Sequence, residues 1–372
     1  LRIGEISQMA ASVFQNPENQ FFTADVLSDL VYACENYGVS KQDIKQRLQH
    51  ILSLLSLHRI LDKKLSALSG GEKQKVAIAS ALMLKTDILL LDEPSANLDY
   101  PSIVLLSKIF EKLKENGYTI LVIEHRLFYL ENLCDRLIVM EQGKISRILD
   151  KPARKGMNNS LFHRIGLRGI HLFQNIIRDP PALKFDEPLL ALQDITFGYP
   201  KERKILQGLS FSVSPGDKVA LLGRNGCGKT TLAKILCGLK KEQQGSIYFD
   251  GKKLVPKERS KTVSYVMQNV DFQLFGYNVY HDLLLGHEGQ PHIEMQIENV
   301  LDVLGLSDSK EQHPTRLSIG QKQRLVVAAS YLLHKRVNVF DEPTSGLDYE
   351  NMQTICRFID SMTGNKNASI II

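Results

Sequence analysis

Residues 223–230 read Gly-Arg-Asn-Gly-Cys-Gly-Lys-Thr, and no other stretch restricts the fold of this chain so tightly. Gly223, Gly228, Lys229 and Thr230 fill every fixed position of the pattern G-x-x-x-x-G-K-[ST]. The apolar run Lys218–Leu222 before it reads as a short strand. Thr231–Leu236 behind it reads as the start of a helix. In that strand–turn–helix context, Gly223, Gly226 and Gly228 let the backbone N–H groups around Asn225 curl onto phosphate oxygens. The helix N-terminus at Lys229–Thr231 adds partial positive charge. Lys229 is then expected to reach β- and γ-phosphates, and the Thr230 hydroxyl to hold Mg²⁺. A chance glycine-rich turn is the alternative, and the flanking elements argue against it. The chain is expected to bind a nucleoside triphosphate.

An internal repeat sets the architecture. Leu68-Ser-Gly-Gly-Glu72 recurs as Leu317-Ser-Ile-Gly-Gln321, Leu91-Asp-Glu-Pro-Ser95 as Phe340-Asp-Glu-Pro-Thr344, and Asn97-Leu-Asp99 as Gly346-Leu-Asp348. Ser69 and Ser318, Asp92 and Asp341, and Asp99 and Asp348 are each 249 residues apart. Upstream, Phe14-Gln15-Asn16 recurs as Met267-Gln268-Asn269 at a spacing of 253. The chain therefore reads as two copies of one domain. The apolar run Ile88–Leu91 fits a fully buried parallel strand, and Val337–Phe340 is its counterpart in the second copy. They deliver Asp92–Glu93 and Asp341–Glu342 to their C-terminal ends, where ligands sit in such sheets.

The ordered set of phosphate loop, post-strand glutamine, LSGG-type signature, Asp-Glu-Pro strand end and S-x-L-D resembles the ATP-binding cassette ATPases over nearly the whole chain. The segment Phe14-Gln-Asn-Pro-Glu-Asn-Gln-Phe-Phe22 is more narrowly similar to the QNPxxQ(L/F)F stretch of energy-coupling-factor ATPases, the cobalt- and vitamin-uptake cassettes. Gln268-Asn-Val-Asp-Phe-Gln-Leu-Phe275 keeps that pattern less strictly. The resemblance implies an α/β fold of P-loop NTPase type: two tandem cassettes, each with a mainly parallel sheet core and a helical subdomain. It implies ATP and Mg²⁺ as ligands, with Thr230, Gln268, Asp341 and Asp92 toward the metal. Glu93 and Glu342 become general bases, His125 a switch histidine on the γ-phosphate, and Tyr199 a platform for adenine. Ser69, Gly70, Gly71, Ser318 and Gly320 become signature contacts to the nucleotide held by the opposite cassette, with Gln15 and Gln268 in the glutamine loops. Head-to-tail pairing of the cassettes then makes two composite sites. One draws on Lys229, Thr230, Gln268, Asp341, Glu342 and Ser69–Gly71, the other on Gln15, Asp92, Glu93, His125 and Ser318–Gly320. Ile319 stands where the signature has a glycine, so the two sites are expected to be unequal.

Taken in order, Ser12–Gln15 reads as a strand end and residues 23–62 as mostly helical, with Ile44, Leu48, Ile51, Leu52 and Leu55 at three- and four-residue spacing. Leu68–Glu72 opens a helix over Lys73–Leu84. Thr119–Ile123 reads as another buried strand ahead of His125. Residues 1–150 are assigned to the first cassette and 188–372 to the second. The connector is read from about residue 141, with a linker proper over 151–187. Lys144 to Arg178 holds eight Lys or Arg against the single acid Asp150, a composition of a solvated face or of a contact with lipid headgroups or a membrane partner.

Cys34, Cys134, Cys227, Cys237 and Cys356 are odd in number and show no metal-like spacing, which favours a reducing, cytosolic compartment. A net charge of +5 gives no reason to expect a nucleic-acid partner. No apolar run approaches 18 residues, so nothing here spans a membrane by itself. The resemblance implies that a transport role runs through separate integral membrane subunits, with this chain peripheral on the cytoplasmic face. By the repeat spacing, the first copy's phosphate-loop lysine would precede residue 1, and His125 would recur at position 374. The chain is accordingly expected to be a fragment cut inside a domain at both ends, with natural permutation as the alternative. The resemblance also leaves open a soluble twin-cassette ATPase acting on ribosomes. That class usually reads Asp-Glu-Pro-Thr-Asn-His-Leu-Asp, unlike Ser95-Ala-Asn-Leu-Asp99 and Ser345-Gly-Leu-Asp348.

Overall fold

The computed structural model describes Ile6 and residues 9–96, 98–141, 143–151, 159–164, 167–169, 188–200, 204–363 and 367–372. The chain divides into two compact units, Leu1–Ile176 and Ile177–Ile372.

In the first unit, β1 (Ala10–Val13), β2 (Ile88–Asp92) and β3 (Thr119–Ile123) form a parallel sheet in the order β1-β2-β3. Ala10 pairs with Ile88 and Ile88 with Thr119. A helical region, Val26–Asn36, Lys41–Leu55 and Gly70–Leu82, packs into one core with β1 and β2 through Leu30, Leu52, Ile78, Leu89 and Leu91. Its helices start where short polar side chains accept backbone N–H groups. Asp25 caps Ser28, Ser40 caps Asp43 and Ser69 caps Glu72. The spacing read over residues 23–62 thus matches real helices.

The second unit repeats this sheet and extends it. β11 (Val263–Val266), β12 (Val337–Phe340) and β13 (Ala368–Ile371) are parallel, and β8 (Lys218–Ala220) lies beside β13, giving β11-β12-β13-β8. Val263 pairs with Val337 and Val337 with Ala368, the same register as the first unit at spacings of 253 and 249. A second, antiparallel sheet, β10-β9-β6-β7, is built from β6 (Leu190–Phe197), β7 (Leu206–Val213), β9 (Gln244–Phe249) and β10 (Lys252–Lys253). It packs Leu190, Leu192, Ile195 and Ile247 onto Val337, Val339, Ala368 and Ile370. The α/β class and the tandem, mainly parallel cores read from the sequence are what the structure has.

Three expectations need correction. Thr119–Ile123 is not a buried strand: among the described residues β3 is the edge of its sheet, with Leu121 50 % and Ile123 61 % exposed. Their counterparts one repeat on are Ile370, buried, and Ile372, half-buried, because there β8 pairs along the edge and the antiparallel sheet covers the face. Nor is β2 fully buried. Leu89 and Leu91 point into the helical core, while Ile88 and Leu90 on the other face are only half-buried; β12, covered on both faces, is buried throughout. Finally, the connector does not begin at residue 141. β4 (Arg136–Glu141) and β5 (Lys144–Asp150) pair as an antiparallel hairpin. Of the linker 151–187, Asn159–Arg164 forms a short helix, and most of the rest lies outside the described residues.

Candidate nucleotide site

Both units deliver their site residues to the C-terminal edge of the parallel sheet. In the second unit the ladder runs past β8 through the Leu221 N–H, which donates to the Ile371 carbonyl at 2.8 Å. The glycine-rich loop follows, and Lys229 opens the helix Lys229–Leu236. Gly226 and Gly228 take φ of +78° and +105°. A Cβ on Gly228 would lie 2.7 Å from the Ile205 methyl, so this position excludes any side chain both by conformation and by space. The Lys229 ammonium donates to the carbonyls of Gly223 at 2.9 Å and Arg224 at 3.2 Å, which holds it within its own loop. Behind the loop, the Tyr199 hydroxyl lies 3.5 Å from the Thr231 hydroxyl. The Tyr199 ring sits edge-on to Phe197, with the Lys240 ammonium 5.2 Å from its centroid.

β12 carries the two acids. The Asp341 N–H bonds to the Val266 carbonyl (2.9 Å) and the Glu342 N–H to the Ile372 carbonyl (3.1 Å), so the ladder fixes both backbones. The Asp341 side chain is 1 % exposed and accepts a hydrogen bond from the Tyr265 hydroxyl at 3.0 Å. Burial, then the neighbouring Asp341 charge, push the Tyr265 phenol far above its ordinary range, so it acts as a neutral donor. Among the described residues no cationic side chain comes within ion-pair distance of Asp341. A buried carboxylate without a protein counter-charge fits a site for a hard cation, and carboxylate and hydroxyl oxygens are the donors Mg²⁺ prefers. Gln268 follows β11; its side chain is exposed and donates no hydrogen bond to Glu342 among the described residues.

In the first unit three predicted residues converge. The Gln15 amide donates to one oxygen of Glu93 at 2.8 Å, and His125 Nε2 lies 3.2 Å from the other. Asp92 ends β2 with its side chain exposed. Glu93 and Glu342 both take a left-handed backbone, φ +41° and +51°, which is uncommon for residues with a side chain and clusters at functional sites.

Several side chains make contacts at these sites for which the sequence suggested no role. Glu124 gathers the loops around His125: one oxygen accepts the Ser95 and Tyr129 hydroxyls (2.6 and 2.8 Å), the other the backbone N–H groups of His125 and Arg126 (2.9 and 3.0 Å). Gln20 and Gln273 brace the glutamine loops; Gln273 accepts the Met267 N–H at 2.7 Å and donates to the Tyr265 carbonyl at 2.8 Å. Buried Asp29 accepts the N–H groups of Phe22 and Thr23, and buried Asp282 those of Phe275 and Gly276. Gln20 with Gln273, and Asp29 with Asp282, recur at the spacing of 253, a signal that was available. Tyr265 gave none, because Ser12 stands in its place in the first copy.

The signatures are helix starts. Gly70–Leu82 and Ile319–Leu332 open with reciprocal capping boxes, Ser69 with Glu72 and Ser318 with Gln321. Gly70, Gly71 and Gly320 occupy the first turns. The Ser69 hydroxyl also donates to Glu72 at 2.9 Å, so phosphate contact requires it to leave this partner.

The fold and loop define a P-loop nucleotide-binding protein with tandem cassettes. A family model described as ABC transporter matches residues 3–96 and 206–345. A Treponema denticola protein described as an ABC transporter ATP-binding protein is 60 % identical over all of this chain, which spans 76 % of that relative. One of Clostridium perfringens with the same description is 32 % identical, and the chain spans 72 % of it. A solved structure of an archaeal ribosome recycling factor with a ribosomal stalk protein aligns with TM-score 0.64 and 24 % identity, over 97 % of this chain and 68 % of that one; this likeness is one of fold. The chain belongs to the ABC transporter family of ATP-binding proteins, and it is an ATPase. Among the described residues no helix is long and apolar enough to cross a membrane.

Proposed function

We propose that this chain is the ATP-hydrolysing subunit that energises a membrane transporter, in an uptake system of the energy-coupling-factor type for a vitamin or metal ion. The observation that carries the reading is the segment Phe14–Phe22 and its counterpart ending at Phe275. Phe22 is 73 % and Phe275 78 % exposed, yet the backbone N–H of each is tied to a buried carboxylate, Asp29 or Asp282. A large exposed apolar ring on a backbone pinned by a buried carboxylate suits docking to another protein. High identity to proteins described as ABC transporter ATP-binding proteins supports a membrane partner and, with it, a peripheral place on the cytoplasmic face.

For the chemistry, Lys229 leaves its loop carbonyls for the β- and γ-phosphates of ATP, and the loop N–H groups cradle the same oxygens. Tyr199 backs the adenine. Glu342, its backbone fixed at the strand end, orients water in line with the γ-phosphorus. Thr230 and Asp341, with Gln268, would hold Mg²⁺, which supplies charge neutralisation at the phosphates when bound. In the first cassette Glu93, Asp92, Gln15 and His125 take the corresponding parts. The signature residues Ser69–Gly71 and Ser318 with Gly320 are read as further nucleotide contacts. Ile319, 54 % exposed at its helix start, would crowd the γ-phosphate approach to one of these signatures and make hydrolysis unequal: Glu342→Gln and Glu93→Gln should lower ATPase to different extents, and equal losses refute the asymmetry.

Affinity purification of the protein from detergent extract, followed by mass spectrometry, tests the whole reading. Small, very hydrophobic integral proteins are the expected partners. Ribosomal proteins without any membrane protein would overturn the transport role and favour the soluble, ribosome-acting alternative.

A further inference from the structure

We infer that Tyr265 is a positioning residue for the second cassette's metal site: its hydroxyl sets the orientation of Asp341 and links that carboxylate to the glutamine loop. Three observations meet on this side chain. Its hydroxyl donates to Asp341 Oδ2 at 3.0 Å, while Asp341 is buried and has no cationic partner among the described residues. A carboxylate so placed can turn about its Cβ–Cγ bond, and a charge-assisted bond to one oxygen stops that rotation. The backbone of Tyr265 is held in turn, because Gln273 donates to its carbonyl at 2.8 Å and accepts the Met267 N–H at 2.7 Å. Met267 immediately precedes Gln268, so Gln273 and Tyr265 join the start of the glutamine loop to the strand end bearing Asp341. In the register of the sheets Tyr265 faces Val339 as Ser12 faces Leu90. Serine is too short to span that distance, so the link is built into one cassette only.

A displacement of the glutamine loop would therefore reach Asp341 through a rigid phenol rather than through solvent. In the first cassette the loop acts instead on Glu93, which the Gln15 amide contacts directly. The two cassettes couple loop to chemistry through different acids.

The inference rests on the reading of Asp341 as a metal-holding residue, and the experiment keeps the two apart. The affinity of a fluorescent methylanthraniloyl ATP analogue is measured for the whole chain in EDTA and in saturating Mg²⁺, and the ratio of the two is the readout. Tyr265→Phe removes one hydroxyl and keeps the ring in its packing. Its Mg²⁺-dependent gain should fall about fivefold or more, as expected for loss of a hydrogen bond to a charged group, with affinity in EDTA within about twofold of wild type. Asp341→Asn calibrates the measurement and should abolish most of the gain. If Asp341→Asn keeps the wild-type ratio, the reading of Asp341 fails and this inference with it. If Asp341→Asn loses the gain while Tyr265→Phe keeps or raises it, only the role of Tyr265 is overturned. Equal weakening of both affinities by Tyr265→Phe also overturns it, since that marks a general packing role.

Discussion

Substitution of Asp29 by alanine should loosen the entry to the first unit's helical region and release the exposed Phe22 ring. Asp29 is 5 % exposed and accepts three hydrogen bonds: the N–H groups of Phe22 (2.9 Å) and Thr23 (3.3 Å), and the Ser80 hydroxyl (3.1 Å) on the signature helix. An acceptor removed from a buried donor costs about 1–3 kcal/mol. Phe22 is exposed and Thr23 and Ser80 are only partly buried, so some of these donors recover water and the total should be about 2–4 kcal/mol. For a unit of this size that corresponds to roughly 5–12 °C in melting temperature. Ser80→Ala deletes one of the three bonds and should cost about 1 kcal/mol. Asp29→Asn keeps a carbonyl oxygen for the two N–H groups and should fall between them. Thermal melts give the ranking, and hydrogen exchange at the Phe22 and Thr23 amides locates it. If Asp29→Ala costs no more than Ser80→Ala and leaves both amides protected, the carboxylate does not hold this turn. The proposal of a rigidly presented Phe22 then fails too.

The remaining predictions concern the loop, a cap and the thiols. Gly228→Ala places a Cβ 2.7 Å from Ile205 at a φ of +105°, so nucleotide affinity should drop by an order of magnitude or more, with about 1–3 kcal/mol of stability lost; equilibrium titration with labelled ATP checks it. Glu72 is held below the ordinary carboxylate range, first by the Ser69 N–H, so its cap contributes fully above the unfolded carboxyl value and is lost as pH falls through the lowered folded one. The stability gap between Glu72→Gln and wild type should therefore narrow in acid, as pH-dependent melts would show. Alkylation should reach exposed Cys227 and Cys356 and spare Cys34 and Cys237, whose thiols burial pushes up; bound ATP should protect Cys227, as mass-spectrometric mapping would reveal.

What the sequence told and withheld divides along a physical line. Strand, loop and helix order follow from local patterning, so β2, β12, the phosphate loop and the signature helices lie close to where periodicity puts them. Burial depends on which layer covers a strand, and local pattern does not encode that. Thr-Ile-Leu-Val-Ile at residues 119–123 and Ala-Ser-Ile-Ile-Ile at 368–372 are alike in hydropathy. Yet among the described residues the first is an edge and the second sits between two strands under a second sheet. The same limit applied to the site. Gln15, Glu93 and His125 could be picked by spacing and do meet, whereas Glu124 and Tyr265 act through contacts with residues 29 and 76 positions away, which no periodicity announces.

The left-handed backbone of the two candidate bases shows how far a short motif can reach when its geometry is local. Glu93 and Glu342 stand in units whose surroundings differ: among the described residues, one follows a strand next to the edge strand β3, the other a strand buried throughout. Both nevertheless adopt φ near +45°, a conformation that costs about 1 kcal/mol for a residue with a Cβ. The cause must lie in what the two share. In each the glutamate N–H closes the ladder, onto the carbonyl of Ile123 or Ile372. In each its own carbonyl accepts a turn bond three residues on, from Ala96 at 3.0 Å or Ser345 at 3.1 Å. The proline between, at the second turn position, has no N–H to satisfy and a preset φ. Ladder closure on one side and a proline turn on the other leave the glutamate as the residue where the chain reverses. Its carboxylate is thereby aimed by the backbone itself, before any neighbour or nucleotide acts on it.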